Sequence, residues 1–219
     1  MASTTSFQYA GTTQTRQQGW KLVLKRGLDL LFGCILLVLA APVMGFAAVA
    51  IWFTDGRPVL YQWRVVGHQG KPFLSWKFRT MVRDADKRKQ ELMAQNEMAG
   101  PAFKMRNDPR ITKVGRVLRR YSLDELPQLW SVLKGDMSMV GPRPPLVTEF
   151  EQFEPWQRRK LTVIPGLTCL WQTMGRSDIK NFDEWVRMDL HYIDNWSLLL
   201  DLKILVQTVK TVVLGRGAY

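Results

Sequence analysis

The stretch GLDLLFGCILLVLAAPVMGFAAVAIWF, residues 27–53, carries a single charge, Asp29, in 27 residues. As one helix it would run roughly 40 Å, longer than the ~30 Å hydrocarbon core of a bilayer. It is too long for a signal-peptide core, and no small-x-small cleavage pattern sits cleanly at its end. Pro42 lies in the middle, where it removes the hydrogen bond to the carbonyl of Val38 and crowds the preceding turn. Both flanks are basic: Lys21, Lys25 and Arg26 precede the stretch, and Arg57, Arg64, Lys71, Lys77 and Arg79 follow it. Positive residues favour the cytoplasmic side, so a straight span must put one basic flank outside. A helix broken at Ala41-Pro42 that dips in and returns keeps both inside, provided the break is shallow or covered. Kinked spanning helices are common, so from these residues alone both geometries stand.

Upstream, residues 1–20 are rich in Thr, Gln, Ser and Gly, with Arg16 the only charge, and read as a disordered arm. Residues 21–54 form the membrane-inserted segment. Residues 55–219 form a basic domain, because 27 of the 31 Lys and Arg lie beyond residue 53 with 18 of the 19 acidic residues. The whole chain has formal charge +12, which points to an anionic partner: nucleic acid, acidic lipid or a phosphorylated substrate. Cys34 and Cys169 are too few for a disulfide scaffold and suit a reducing compartment.

The expected fold is α+β and mainly helical. VLYQWRVV and PFLSWKFR, separated by GHQGK, predict a short β-hairpin. Residues 82–99 are polar and helical in composition, and short helices follow in PPLVTEFEQFEPWQRRK and FDEWVRMDLHYIDNW. Residues 197–215 predict an apolar final helix with Asp201, Lys203, Gln207 and Lys210 on a polar face. Such helices usually pack in a core. Seating at a membrane surface is the sharper reading here, favoured by the nearby Trp185, Tyr192 and Trp196.

Within the basic domain, YSLDELPQL (121–129) places Asp124 and Glu125 side by side. Ser122-x-x-Glu125 fits a capping box, and acidic residues suit a helix start, so a purely structural role accounts for the pair. The neighbourhood argues for more: Arg116, Arg119 and Arg120 lie upstream, Lys134 and Arg143 downstream. Gly-Pro-Arg-Pro at 141–144 forms a rigid turn presenting one guanidinium, the group suited to two-point phosphate contact.

KFRTM (77–81), DPRITKVGRVLRRYSLDELPQLWSVLKGDMSMVGPRPPL (108–146), PGLTCLWQ (165–172) and NWSLLLDLKIL (195–205) together resemble the bacterial sugar transferases. These are monotopic phosphoglycosyl transferases that begin glycan assembly on polyprenol phosphate. The similarity runs from about Lys25 to Val213 and extends to the catalytic half of longer exopolysaccharide-initiating members, without their four additional N-terminal helices. It implies transfer of a sugar 1-phosphate from a UDP-sugar to polyprenol phosphate with Mg²⁺, releasing UMP through a covalent aspartyl intermediate. Asp124 would be the nucleophile and a Mg²⁺ ligand, and Glu125 its partner. Lys77, Arg79, Arg119 and Arg143 would contact phosphate or lipid headgroup, with Thr168 and Gln172 on the nucleotide side. The membrane break usually falls at Ser-Pro in such proteins; here Ala41-Pro42 lacks the hydroxyl. The resemblance also implies the cytoplasmic face of a bacterial inner membrane, anionic lipid contact, and a second copy or downstream glycosyltransferases as partners.

Charge arithmetic agrees with a shielded carboxylate. One like-charge pair at 4 Å costs about 4 kcal/mol at an effective dielectric near 20. That is about three powers of ten in rate, which Mg²⁺ and positioned Arg or Lys must reverse. A membrane-anchored nucleic-acid-binding module is the competing class, but the chain has no zinc-ligand spacing, helix-turn-helix pattern or RNA-binding signature. His68 and His191 are isolated, and His68 falls in a turn. An inactive scaffold is disfavoured by the presence of both Asp124 and Glu125. The identity of the sugar is not encoded in any motif.

Overall fold

A computed structural model describes residues 19–174 and 179–215. The expected arm falls mostly outside these residues, apart from Gly19 and Trp20, which already belong to the first helix. That helix, α1 (Gly19–Asp55), runs through Ala41 and Pro42 as one element of 37 residues. Proline therefore does not terminate the helical run, and the expected break at Ala41-Pro42 is at most a bend within it. Proline removes one intrahelical hydrogen bond, and the apolar residues on either side continue the helix across that gap.

One stripe of α1 is buried: Asp29, Gly33, Ala40, Ala47 and Ile51. These recur every three or four residues or multiples of that spacing, so they share a face. The opposite side leaves Val38, Leu39, Phe46 and Phe53 more than two-thirds exposed. The helix therefore lies along the globular domain and turns its other apolar face outward. Its length and composition suffice to cross a membrane. The whole is an α+β fold with one long apolar N-terminal helix.

Strands β1 (Leu60–Val66) and β2 (Pro72–Phe78) pair antiparallel from Leu60 opposite Phe78 to Val66 opposite Pro72, the predicted hairpin. Its turn has left-handed backbone at Gln69 and Gly70 (φ 57° and 76°), which glycine adopts freely and Gln69 adopts against its usual preference. The polar stretch at 82–99 is helical only over α2 (Ala85–Glu91) and a 3₁₀ turn at Met93–Gln95. Thr112 caps α3 (Lys113–Arg120) by accepting from the Gly115 amide. A 3₁₀ turn, Leu123–Gln128, leads into α4 (Leu129–Lys134).

Two three-residue strands, β3 (Ser138–Val140) and β4 (Gly166–Thr168), form a small parallel pair. Between them lie α5 (Val147–Phe150) and a 3₁₀ turn at Gln157–Thr162. A Cβ on Gly166 would fall 2.0 Å from the Gly141 nitrogen, so only glycine permits this approach. Then follow α6 (Leu170–Thr173), α7 (Phe182–Asp194), capped by Asn181, and α8 (Leu198–Leu214), capped by Ser197. The main core joins Leu129, Val132, Met137, Val140, Tyr192 and Ile204, and a second cluster packs Ala47 and Ile51 of α1 on Phe78 and Leu118.

On α8, Leu199, Leu202, Val206, Val209 and Val213 form an exposed apolar stripe at alternating spacings of three and four. Asp201 does not join the polar face expected for it. It is buried, bonded to Lys25, Tyr192 and Trp196. Tyr192 is likewise a core residue and not an interfacial aromatic, because its hydroxyl is needed by Asp201.

Candidate active site

Asp124 and Glu125 occupy the first turn of the 3₁₀ segment that follows α3, and both are buried, at 9% and 7% exposure. Ser122 is left-handed (φ 52°), which ends α3 sharply and redirects the chain. Its hydroxyl makes no capping hydrogen bond. The capping box suggested by Ser122-x-x-Glu125 is therefore not formed: a left-handed Ser122 cannot present its side chain to the following amides as an extended cap residue does.

Glu125 turns instead toward two cations. Its Oε1 accepts from Lys77 Nζ at 2.8 Å and from Arg143 Nη1 at 3.0 Å. Lys77 comes from β2 and Arg143 from the turn after β3, so two separate strands converge on one carboxylate oxygen. The Lys77 ammonium and the Arg143 guanidinium also sit over the Trp63 ring, 3.8 and 5.2 Å from its centroid. That ring supplies a negative π face and excludes water beneath both cations.

The electrostatics follow from this crowding. Burial is the main cause that pulls Lys77 down to about 8, and Arg143 adds to it, while Glu125 and Asp124 pull the other way. Burial opposes the charge on Arg143 too, but the Glu125 carboxylate outweighs it and holds the guanidinium firmly protonated.

A cavity of about 610 Å³ opens over this group, lined among others by Asp124, Glu125, Lys77, Arg79, Arg119 and Arg143. Six of the residues picked from sequence are thus brought together. Arg79 reaches back, its Nη2 donating to the carbonyls of Asp55 and Gly56 at 2.7 Å each, while its buried Nε and Nη1 have no hydrogen-bond partner. Arg119 Nε donates to Thr80 Oγ1.

Thr168 and Gln172 do not belong to the cavity lining. The Thr168 hydroxyl is paired with that of Thr208 on α8, and the Gln172 carbonyl accepts from the Cys169 thiol. β4 turns Thr168 toward α8, so the two residues expected on the nucleotide side stand outside this cavity lining. Trp171, from the same PGLTCLWQ stretch, lines the cavity instead, against Trp185 with stacked rings 4.3 Å apart.

Sequence reasoning also missed Lys160, a buried lining residue paired with Asp189 at 2.5 Å, and the buried pair Arg110–Asp108. Burial pushes the Asp189 carboxyl up, and the neighbouring ammonium opposes this. The one available signal was Asp108-Pro-Arg110 at the head of the longest motif.

Among the described residues no group of three or more His, Cys, Asp or Glu is placed to hold a metal ion. Mg²⁺ commonly takes one or two carboxylates and completes its shell with water and substrate phosphates. Asp124, beside a Glu125 whose Oε1 already serves two cations, fits that sparse pattern and no all-protein cage.

Residues 20–215 match the sequence profile of the bacterial sugar transferases. The chain is 45% identical over 197 residues to the galactosyl transferase CpsE of Streptococcus agalactiae, covering 90% of this chain and 44% of that protein. It is 43% identical over 203 residues to the undecaprenyl-phosphate galactose phosphotransferase of Salmonella typhimurium, covering 90% and 42%. With the exopolysaccharide production protein ExoY of Sinorhizobium fredii it shares 41% over 199 residues, covering 89% and 88%. The chain spans less than half the length of the first two and most of the third. With the match running from α1 to the end of α8, the chain belongs to the bacterial sugar transferase family.

Proposed function

We propose that the protein transfers a sugar 1-phosphate from a UDP-sugar to a polyprenol phosphate such as undecaprenyl phosphate, releasing UMP, as the membrane step that begins a polysaccharide. The observation that carries this is the convergence of Lys77 and Arg143 on Glu125 beside the buried Asp124. A carboxylate pair shielded in this way can meet a diphosphate without the repulsion that an isolated aspartate suffers.

An Asp124 carboxylate oxygen attacks the β-phosphorus, the bond to the bridging oxygen breaks, and its electron pair leaves with UMP. An oxygen of the polyprenol phosphate then attacks the same phosphorus and releases the Asp124 carboxylate, giving a polyprenol diphosphate sugar. Splitting one transfer between two bulky anions into two steps is the advantage of the covalent route. Asp124 and the donor's diphosphate oxygens would hold Mg²⁺, whose chemistry here is charge neutralisation. Lys77 and Arg143 hold the phosphates, and Glu125 holds both cations at their working distance.

The acceptor's phosphate lies at a bilayer surface, which gives α1 its purpose. Lys25 bonds Asp201 and Val140 near one end of α1, and Arg79 bonds the Asp55 and Gly56 carbonyls at the other. Both ends thus meet the same catalytic domain, which supports a helix that enters and leaves one face of the membrane, the cytoplasmic one. The cationic groups of the site line a cavity around carboxylates, so a nucleic-acid module is not favoured.

Acceptor-free exchange tests the covalent step. Purified protein with Mg²⁺ and the right UDP-sugar should exchange labelled UMP into that UDP-sugar with no polyprenol phosphate present. Asp124→Asn should abolish exchange, and Glu125→Gln should leave a residual signal. Exchange that appears only with acceptor means direct transfer to the lipid, and acceptor-free exchange that persists in Asp124→Asn means that another group carries the covalent intermediate.

A further inference from the structure

Strand β3 is three residues long, and its two edges are satisfied differently. On one side it pairs with β4, with Ser138 N–H donating to Pro165 and Gly141 N–H to Thr168. Among the described residues no strand pairs with its other side; side chains of α1 take that place, with the Tyr192 hydroxyl also donating to the Val140 carbonyl. Asp29 Oδ1 accepts from the Met139 amide at 2.9 Å and from the Ser138 hydroxyl at 3.0 Å. Lys25 Nζ donates to the Val140 carbonyl at 2.9 Å and to Asp201 at 2.6 Å. Arg26 adds a third hold, donating to the Val132 and Leu133 carbonyls at the end of α4.

Lys25 and Asp29 stand one helical turn apart, so one face of α1 grips consecutive β3 residues. A free edge on so short a strand would leave its register weakly specified, and a slip of one residue would turn every side chain to the other face. Only Gly141 and Pro142 separate Val140 from Arg143. Proline fixes the backbone there, and Gly141 is pinned by its close approach to Gly166, so little slack remains between strand and guanidinium.

We propose that Asp29 is a positioning residue for Arg143: by holding the outer edge of β3 in register, it sets the Gly141–Pro142–Arg143 turn against Glu125. The helix that seats the protein in the membrane is thereby part of the scaffold of the phosphate grip as well as an anchor. This rests on the reading of Arg143 as a phosphate ligand, and the test separates the two.

Full-length protein in lipid nanodiscs is compared as wild type, Asp29→Ala, Asp29→Asn and Ser138→Ala, each also with Arg143→Ala. Two quantities are read: the rate at which phenylglyoxal modifies Arg143, followed by peptide mass spectrometry, and the affinity for UDP. Asp29→Ala should raise the modification rate at least about threefold as the turn loosens, and weaken UDP about tenfold. Asn keeps a carbonyl oxygen for both donors, so Asp29→Asn should restore both quantities. Ser138→Ala, which removes one donor and leaves the buried carboxylate in place, should move both in the same direction by less, and carries the test if Asp29→Ala does not fold. In the Arg143→Ala background Asp29→Ala should cost no further UDP affinity, because its effect passes through Arg143. Additive losses, or an unchanged Arg143 rate in a folded Asp29→Ala and Ser138→Ala, overturn the proposal. Wild type that binds no UDP while Asp29→Ala still frees Arg143 would overturn the phosphate reading and leave the positioning role standing.

Discussion

Nζ of Lys77 lies 2.8 Å from Oε1 of Glu125, and the pair is nearly closed to solvent, with side-chain exposures of 13% and 9%. Burial is why Lys77 titrates at about 8 and not at 10.5. Its charge is therefore lost in the free protein as pH rises through 8. UDP affinity should fall over pH 7 to 9.5 with its midpoint near 8, and Lys77→Arg should flatten that limb, since a guanidinium stays protonated there. The linked stability has the opposite sign. Between about 8 and 10.5 the unfolded chain binds the Lys77 proton more tightly than the folded one, so this group's contribution to stability rises with pH. Affinity that falls because the protein unfolds would instead track a falling melting temperature. A limb that survives unchanged in Lys77→Arg would assign it to another group.

Arg143→Lys should cost more than its retained charge suggests. Arg143 spends Nη1 on Glu125 and lies over Trp63, leaving the rest of a planar fork for phosphate. An ammonium offers a point charge without that fork, and one ammonium, Lys77, already occupies the same carboxylate oxygen. The expected loss in kcat/KM is tenfold or more, at least about 1.4 kcal/mol. Near-normal kinetics would mean that Arg143 supplies charge alone.

The elements that could be read from sequence are those whose signals are local. The β1–β2 hairpin shows in two aromatic and β-branched runs around a Gly-containing turn, and α8 in a long apolar run bounded by Ser197 and Gly215. The importance of Asp124 and Glu125 showed in their basic surroundings, yet the local pattern Ser-x-x-Glu also suggested a cap. The left-handed turn at Ser122, invisible in composition, decides between them. What could not be read is contact across the chain. Lys77 and Arg143 meet Glu125 over 48 and 18 residues, and Asp201 looked like a surface charge because its partner, Lys25, is 176 residues away. Strands of three residues, such as β3 and β4, are too short for any periodicity to show.

Thr168→Val distinguishes the position read from the motif from the one found in the fold. The hydroxyl faces Thr208, which keeps a second partner in the Ile204 carbonyl. Removing it should lower stability by about 1 kcal/mol, the usual net worth of one such bond. KM for the UDP-sugar should not change. A rise in KM with an unchanged melting temperature would return Thr168 to the nucleotide side.

The last prediction concerns the path of α1. A straight span would place about 30 Å of hydrocarbon between its ends. Lys25 and Asp29 near one end bond β3, and Arg79 bonds the carbonyls of Asp55 and Gly56 at the other. β2 and β3 belong to one folded unit joined through Glu125. If that unit lies on one side of the bilayer, so do both helix ends, and the exposed apolar face of α1 around Pro42 sinks into that side without crossing it. Pro42 supplies a point where a helix bends at least cost, since one of its hydrogen bonds is already missing. Single cysteines at Trp20 and Arg57, in a background with Cys34 and Cys169 replaced, should both resist an impermeant maleimide on intact cells and both react once the membrane is opened. Labelling of position 20 alone from outside would make α1 a span. The contacts of Lys25 and Asp29 with β3 could not then form in the membrane-embedded protein.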